Sequence, residues 1–171
     1  PTSYIPNHSG GTITRGVDSC TGAGDSSTFN STEGVLYAEI SALEDLGTAR
    51  RYISLSDGSS SNDMRLYFNN SVGTIVALSK VGGVTQFSIF GSGYDLTETH
   101  KIAVKYKEND FALWVDGFEV DTDSSGLVNA PNTFDELAFN GNNLPFFGRA
   151  KQVLVFNTAL SDADLETLTT L

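Results

Sequence analysis

Between His100 and Val120 the chain alternates apolar and polar positions with the period of a half-buried strand. Ile102, Val104 and Tyr106 fall on one side, and Ala103, Lys105 and Lys107 on the other. Glu108-Asn109-Asp110 is a polar break built from turn formers. Phe111, Leu113 and Val115 then alternate with Ala112, Trp114 and Asp116, and Asp116-Gly117 is a favoured dipeptide of the two-residue hairpin turn. The pattern predicts neighbouring strands with an inward apolar face and Trp114 on the opposite face. A large aromatic there is either covered by a second packing layer or a stacking platform for a ligand.

The same period recurs along the chain. Gly34 to Leu43 reads as a long strand, with Leu36, Ala38 and Ile40 on one face and Val35, Tyr37 and Glu39 on the other. ARRYISLSDGSSSNDMRLYFNN reads as a strand, the loop SDGSSSND and a second strand. Ile53, Leu55, Met64, Leu66 and Phe68 form their apolar face. VGTIVALSK and VTQFSIF follow, with a turn at Lys80 to Gly83. A short strand at Glu136 to Phe139 ends in Asn140-Gly141. RAKQVLVF is the last long strand, with Val153 and Val155 on one face and Leu154 and Phe156 on the other. Earlier, Tyr4-Ile5 and Ile13 to Val17 read as short edge segments. The single helical segment closes the chain: Ser161 is a good N-cap, Asp162 and Asp164 suit the positive end of the dipole, and Leu165 and Leu168 share one side, with Leu171 beyond them. The predicted core is Leu36, Ile40, Ile53, Leu55, Leu66, Phe68, Ile102, Val104, Leu113, Val115, Val153 and Val155. No linker or repeat interrupts the pattern, so residues 1–171 read as a single all-β domain, an antiparallel β-sandwich with one short C-terminal helix.

Composition narrows the function. The net charge of −11 and the scattering of basic residues argue against a nucleic-acid partner. Cys20 is the only cysteine, so an intrachain disulfide and a multi-cysteine metal site are excluded. No apolar run is long enough to enter a membrane as a helix. The chain starts at Pro1 and its only methionine is Met64, which reads as an excised or processed domain. Asn7, Asn30 and Asn69 stand in glycosylation sequons, which matter only in a eukaryotic secretory route.

The order of the hairpin HKIAVKYKENDFALWVDG, the strand RAKQVLVFNTAL and the closing helix LSDADLETLTTL resembles the laminin-G-like, concanavalin A-like jelly rolls. SYIPNHSGGTITRGVD, STEGVLYAEI, YISLSDGSSSNDMRLYF and YKENDFALWVDG resemble segments of such domains in bacteriophage tail and virion proteins. The resemblance implies two face-packed antiparallel sheets, ligands on a concave face or rim loops, sugars as the commonest ligand and calcium in some members. It also implies an extracellular place on a virion, with a host-surface glycan or polysaccharide and other virion subunits as partners.

Catalysis is not visible. Glycosidases of the concanavalin A-like fold carry two glutamates flanking an aspartate on one strand; here Glu39 is followed by Glu44 and Asp45, and an odd spacing puts Glu39 and Glu44 on opposite strand faces. His8 and His100 lack a third ligand for zinc. Recognition remains. A sugar site needs a flat aromatic face and a few fixed polar groups. Trp114 and Tyr67 are the candidate aromatic floor, with Tyr37 as a further aromatic. Arg65, Asp57, Asn62, Asp63, Asn140 and Asn142 are the candidate polar groups, mostly on rim loops. Asp57, Asn62 and Asp63 also offer oxygen ligands of the kind Ca²⁺ takes, without a calcium-loop pattern, and no cofactor is implied. The expected function is a non-enzymatic carbohydrate-binding or adhesion module of a phage virion, in a tail fibre or capsid-attached appendage. The alternatives are a structural virion decoration domain without a ligand, or a carbohydrate-binding module of a bacterial polysaccharide-degrading enzyme.

Overall fold

The computed structural model describes residues 24–45, 47, 51–139 and 144–171. The early segments around Tyr4, Ile5, Ile13 and Val17, with His8 and Cys20, lie outside the described residues. Ten strands and one helix follow in order: β1 (Glu33–Ala42), β2 (Arg51–Ser56), β3 (Asp63–Phe68), β4 (Thr74–Val81), β5 (Val84–Ser92), β6 (His100–Lys107), β7 (Phe111–Val115), β8 (Phe118–Asp123), β9 (Glu136–Ala138), β10 (Gly148–Phe156) and α1 (Asp162–Thr169). They form two five-stranded antiparallel sheets. Sheet A has the order β5-β4-β3-β2-β9, and sheet B the order β10-β1-β6-β7-β8.

The core lies between the sheets, because each strand contributes the apolar half of its alternation. Leu36 and Ile40 of β1 meet Ile53 and Leu55 of β2, Leu66 and Phe68 of β3, Ile102 and Val104 of β6, and Leu113 and Val115 of β7 in one buried cluster. Val153 and Val155 pack against that cluster but are only half-buried, since β10 is an edge strand. Phe87 stacks on Phe111 across the core at 4.4 Å between centroids.

The turns obey the local chemistry. Asp116 (φ 52°) and Gly117 (φ 87°) both occupy the left-handed region, as the β7–β8 hairpin requires. Asp116 tolerates it because its carboxylate is anchored: Oδ1 accepts the Lys101 N–H at 2.9 Å, and Oδ2 lies 2.6 Å from His100 Nδ1. Asn109 (φ 57°) plays the same part in the β6–β7 turn, where its Oδ1 accepts the Gly126 N–H. Ser161 caps α1, accepting the Asp164 N–H.

Candidate functional site

The sandwich has two outer faces, and most of the described side chains at the centre of each are buried. On sheet B, Val35, Tyr37, Ala103, Ala112 and Trp114 point away from the core and form a second apolar cluster with Leu165 of α1. Leu154, Phe156, Leu160 and Leu168 pack around it. Ala103 stands between Tyr37 and Trp114 in the register, and the helix packs over β6 and β7 at these residues. Lys105 holds the end of the helix: its Nζ is 2.8 Å from Asp110 Oδ1 and 3.2 Å from Asp162 Oδ1. Burial pushes the Lys105 ammonium down, but the two carboxylates outweigh it and hold the group above its ordinary range. At the other end Gly117 N–H donates to Thr169 Oγ1, and Lys101 Nζ donates to the Thr170 carbonyl.

This corrects the expected aromatic floor. Trp114 is 6% exposed, covered by α1, and its Nε1 finds no acceptor. Tyr37, on the same face, is 2% exposed. Tyr67 lies on sheet A, on the far side of the core, so Trp114 and Tyr67 cannot share a ligand. The strand phase of Trp114 was read correctly; what it meets on that face is the closing helix.

The outer face of sheet A is built differently. The strand register orders it into three rows. Nearest the β2–β3 loop, Glu136, Ser56, Asp63 and Lys80 stand side by side. The middle row is Ala138, Ser54, Arg65, Leu78 and Ser88, and the third is Tyr52, Tyr67, Val76 and Phe90. Tyr52 and Tyr67 meet edge-on at 4.7 Å, and the Arg65 guanidinium lies 5.3 Å from the centre of the Tyr52 ring. Arg65 donates from Nε (2.7 Å) and from Nη2 to the same oxygen of Asp63, Oδ2. Burial pushes the Asp63 carboxyl above the ordinary carboxylate range, and Arg65 offsets this only in part. Arg65, Asp63 and Tyr67 are thus brought together as candidates on one face, all buried. Phe90, at 56% exposed, is the accessible aromatic of this face, next to exposed Ser88 and half-buried Leu78 and Lys80.

Sequence reasoning missed Tyr52, Phe90 and Lys80. Tyr52 was legible from its alternation with Ile53. Phe90 was masked because Phe87 and Ile89 in the same short run supply the core phase, so both parities look apolar.

The rim loop is held by its own polar groups. Asp57 Oδ1 accepts the Ser59 N–H, and Asn62 Nδ2 donates to Asp57 Oδ2. Asn62 Oδ1 accepts the Gly82 N–H, tying this loop to the β4–β5 turn. Burial pushes the Asp57 carboxyl up, but the hydrogen bonds from Ser59 and Asn62 outweigh it and bring it below its ordinary value. Asp57 and Asn62 therefore act as loop staples here. Among the described residues no group of three or more His, Cys, Asp or Glu is placed to hold a metal ion. Asn140 and Asn142 lie outside the described residues. At the same rim two open hollows meet at Thr32. One, of about 270 Å³, is lined by Asn30, Asn132 and Asn157, and the other, of about 490 Å³, by Glu33, Lys107 and Asn109.

By sequence, no family model and no curated protein matches the chain. Solved structures do match it in shape. The CBM40 module of the Ruminococcus gnavus IT-sialidase superposes with a TM-score of 0.70 at 15% identity, over 88% of this chain and 94% of that one. The same module bound to α2,3-sialyllactose gives 0.67 at 16% identity, over 81% and 83%. A heptameric SAP-like pentraxin from Limulus polyphemus gives 0.62 at 12% identity, over 81% and 70%. At these identities the likeness is one of fold: this chain is an all-β jelly-roll sandwich of the kind that carbohydrate-binding modules and pentraxins share.

Proposed function

We propose that this domain is a non-catalytic carbohydrate-binding module that holds a glycan at the β5 edge of sheet A, on Phe90. The observation that carries the reading is an exposed aromatic on an edge strand. Sheet B is closed by α1 and the side chains of β2 and β3 are buried, whereas Phe90 of β5 is 56% exposed, beside exposed Ser88 and half-buried Leu78 and Lys80. A flat aromatic surface against sugar C–H groups and a few fixed polar groups is the chemistry sugar recognition uses. The shared fold with a sialidase module seen bound to sialyllactose supports the same reading.

For setting, the motif resemblance favours a phage virion, in a tail fibre or capsid-attached appendage. Host-surface glycans and neighbouring virion subunits would then be its partners, and the location extracellular. A second reading has a specific observation behind it. The chain also superposes on part of the NanB sialidase of Streptococcus pneumoniae, spanning 90% of this chain and 26% of that one at a TM-score of 0.67 and 14% identity. A module within a bacterial glycan-degrading enzyme therefore shares this shape.

The test is a glycan array probed with wild type and with Phe90→Ala, melting temperatures measured alongside. Phe90→Ala is expected to weaken binding and leave melting within a degree or two, because the ring is mostly in solvent. Equal binding by both proteins removes Phe90 from the site. No binding by wild type to any glycan favours a decoration domain that packs on other virion subunits.

A further inference from the structure

Strand β5 ends sheet A, so one side of its backbone has no neighbouring strand. Phe90 pairs with Val76 of β4, yet its N–H turns the other way and donates to Asp121 Oδ2 of β8 at 3.0 Å. Amides that turn outward in this manner alternate along an antiparallel edge strand and are left to water or to a side chain. Here the side chain comes from the other sheet. Asp121 Oδ1 accepts the Thr122 N–H at 3.0 Å, so both carboxylate oxygens are held.

A β-bulge aims Asp121 at this amide. Across the β7–β8 ladder Trp114 pairs with Glu119 and Leu113 with Asp121, which leaves Val120 as an extra residue opposite no partner on β7. A regular strand would turn successive residues to opposite faces. With the bulge, Val120 and Asp121 both address the far sheet: Val120 packs against the inter-sheet core, and Asp121 reaches Phe90. Gly91 makes the room. A Cβ there would lie 2.5 Å from Val120 Cγ1 and 3.0 Å from the Tyr94 ring, so β8 comes this close because residue 91 has no side chain. Phe90 and Gly91 are thus both met by β8, one by a charge-assisted hydrogen bond and one by packing.

The Phe90 ring is 56% exposed, so little packing restrains it. An aromatic platform that must be ordered on binding loses affinity to that ordering. We infer that Asp121 is a positioning residue of the glycan site: through the Phe90 N–H it fixes the free edge of β5 that presents the ring. The bulge at Val120, with Gly91 opposite, brings it within reach. Asp121 acts through Phe90 and needs no contact with the sugar. The inference rests on the reading that Phe90 holds a glycan.

The experiment uses the full chain as wild type, Asp121→Ala and Asp121→Asn. It reads amide hydrogen exchange at Phe90, titration of the strongest binder found on a glycan array, and melting temperature. Asp121→Ala is expected to speed exchange at Phe90 about tenfold and to weaken binding about three- to tenfold, the net worth of one hydrogen bond. Asp121→Asn keeps an oxygen acceptor at the same reach and is expected to restore both to within about twofold of wild type. An unchanged Phe90 amide in Asp121→Ala overturns the inference. So does a faster amide with unchanged affinity, which leaves the bond a structural one, and so does an Asp121→Asn protein that behaves as Asp121→Ala does. If Asp121→Ala does not fold, wild type still decides: its Phe90 amide is expected to be protected although it faces the open edge, and exchange at the rate of a free amide overturns the inference. Each of these outcomes leaves the glycan reading standing. No binding of wild type to any glycan overturns both.

Discussion

Leu165→Ala tests whether α1 truly closes sheet B. Leu165 is fully buried against Val35, Tyr37, Ala103, Ala112 and Trp114. Truncation removes three carbons, worth about 0.8 kcal/mol each in transfer, so about 2.4 kcal/mol before any cavity is counted. Measured Leu→Ala costs in cores run to about 2–5 kcal/mol. The helix is a single element on the periphery and can settle toward the small side chains of Ala103 and Ala112, which places the cost near the lower end, about 2–3 kcal/mol. For a domain of this size about 2–4 °C accompanies each kcal/mol, so the melting temperature is expected to fall by about 5–10 °C. The molecule also carries its own reporter. Trp114 is the only tryptophan of the chain and lies under this helix, so its emission reads helix docking alone. In Leu165→Ala the emission is expected to shift red and acrylamide quenching to rise, while Leu171→Ala, at a residue 76% exposed, changes neither. An unshifted emission with melting lowered by less than about 1 °C, small against the scale above, would refute the sealed-face argument.

Three further outcomes are expected. Leu113→Ala, at a fully buried position of β7, is expected to cost about 2–5 kcal/mol in urea unfolding, and an unchanged midpoint would show the strand phase to be wrong. Gly148→Ala places a Cβ 2.2 Å from the Ser41 carbonyl oxygen and 2.7 Å from the Phe146 ring; β1 and β10 must part there, and amide exchange at Ser41 and Ala42 is expected to speed up. Asp57→Asn tests the loop staple: a carboxyl held below its ordinary value contributes stability that is present above about pH 4 and lost as pH falls through the depressed value. The variant is therefore expected to melt below wild type at pH 7 and to approach it as pH falls through the depressed value, and a gap that persists once the carboxyl is protonated would count against the charge as the cause.

Strand phase was the most legible property of the sequence. Leu36, Ile53, Leu66, Ile102, Val104 and Leu113 were assigned inward from alternation alone, and each has no exposed surface. The reason is local: a period of two cannot place one of these residues inward without its neighbour pointing out. The fate of the outward residues is not local. Val35, Tyr37, Leu154 and Phe156 gave sheet B a second apolar face, and a strand apolar on both faces is a strand covered on both faces. That signal stood in the sequence beside Trp114 and pointed to the helix. The site was partly legible for the same reason. Arg65, Asp63 and Tyr67 share parity on β3 and so share a face. Which strand lies beside β3, and hence that Tyr52, Lys80 and Phe90 join them, depends on pairing between strands, which one strand's pattern does not encode. Asp57 and Asn62 looked like ligand groups because the residues that close loops are the residues that bind ligands.

The two sheets differ in how the chain must travel to make them. Sheet A is assembled mostly from successive hairpins, β2 to β3 to β4 to β5, each pairing with the strand just made. Sheet B depends on β1 inserting between β6 and β10, with Val35 paired to Phe156 at the far end of the chain. Contacts between distant positions incur their loop-closure entropy before they are rewarded, so they form late. We predict that β2–β5 gains amide protection first in a pulse-labelled refolding experiment, and that β1, β10 and α1 gain it together and last. Simultaneous protection of β1 and β3 would contradict that order. On a ribosome the same constraint means that β1 waits, unpaired on its β10 side, until Gly148–Phe156 has been made. The domain then closes in one late step, and its single tryptophan is shielded only at the end.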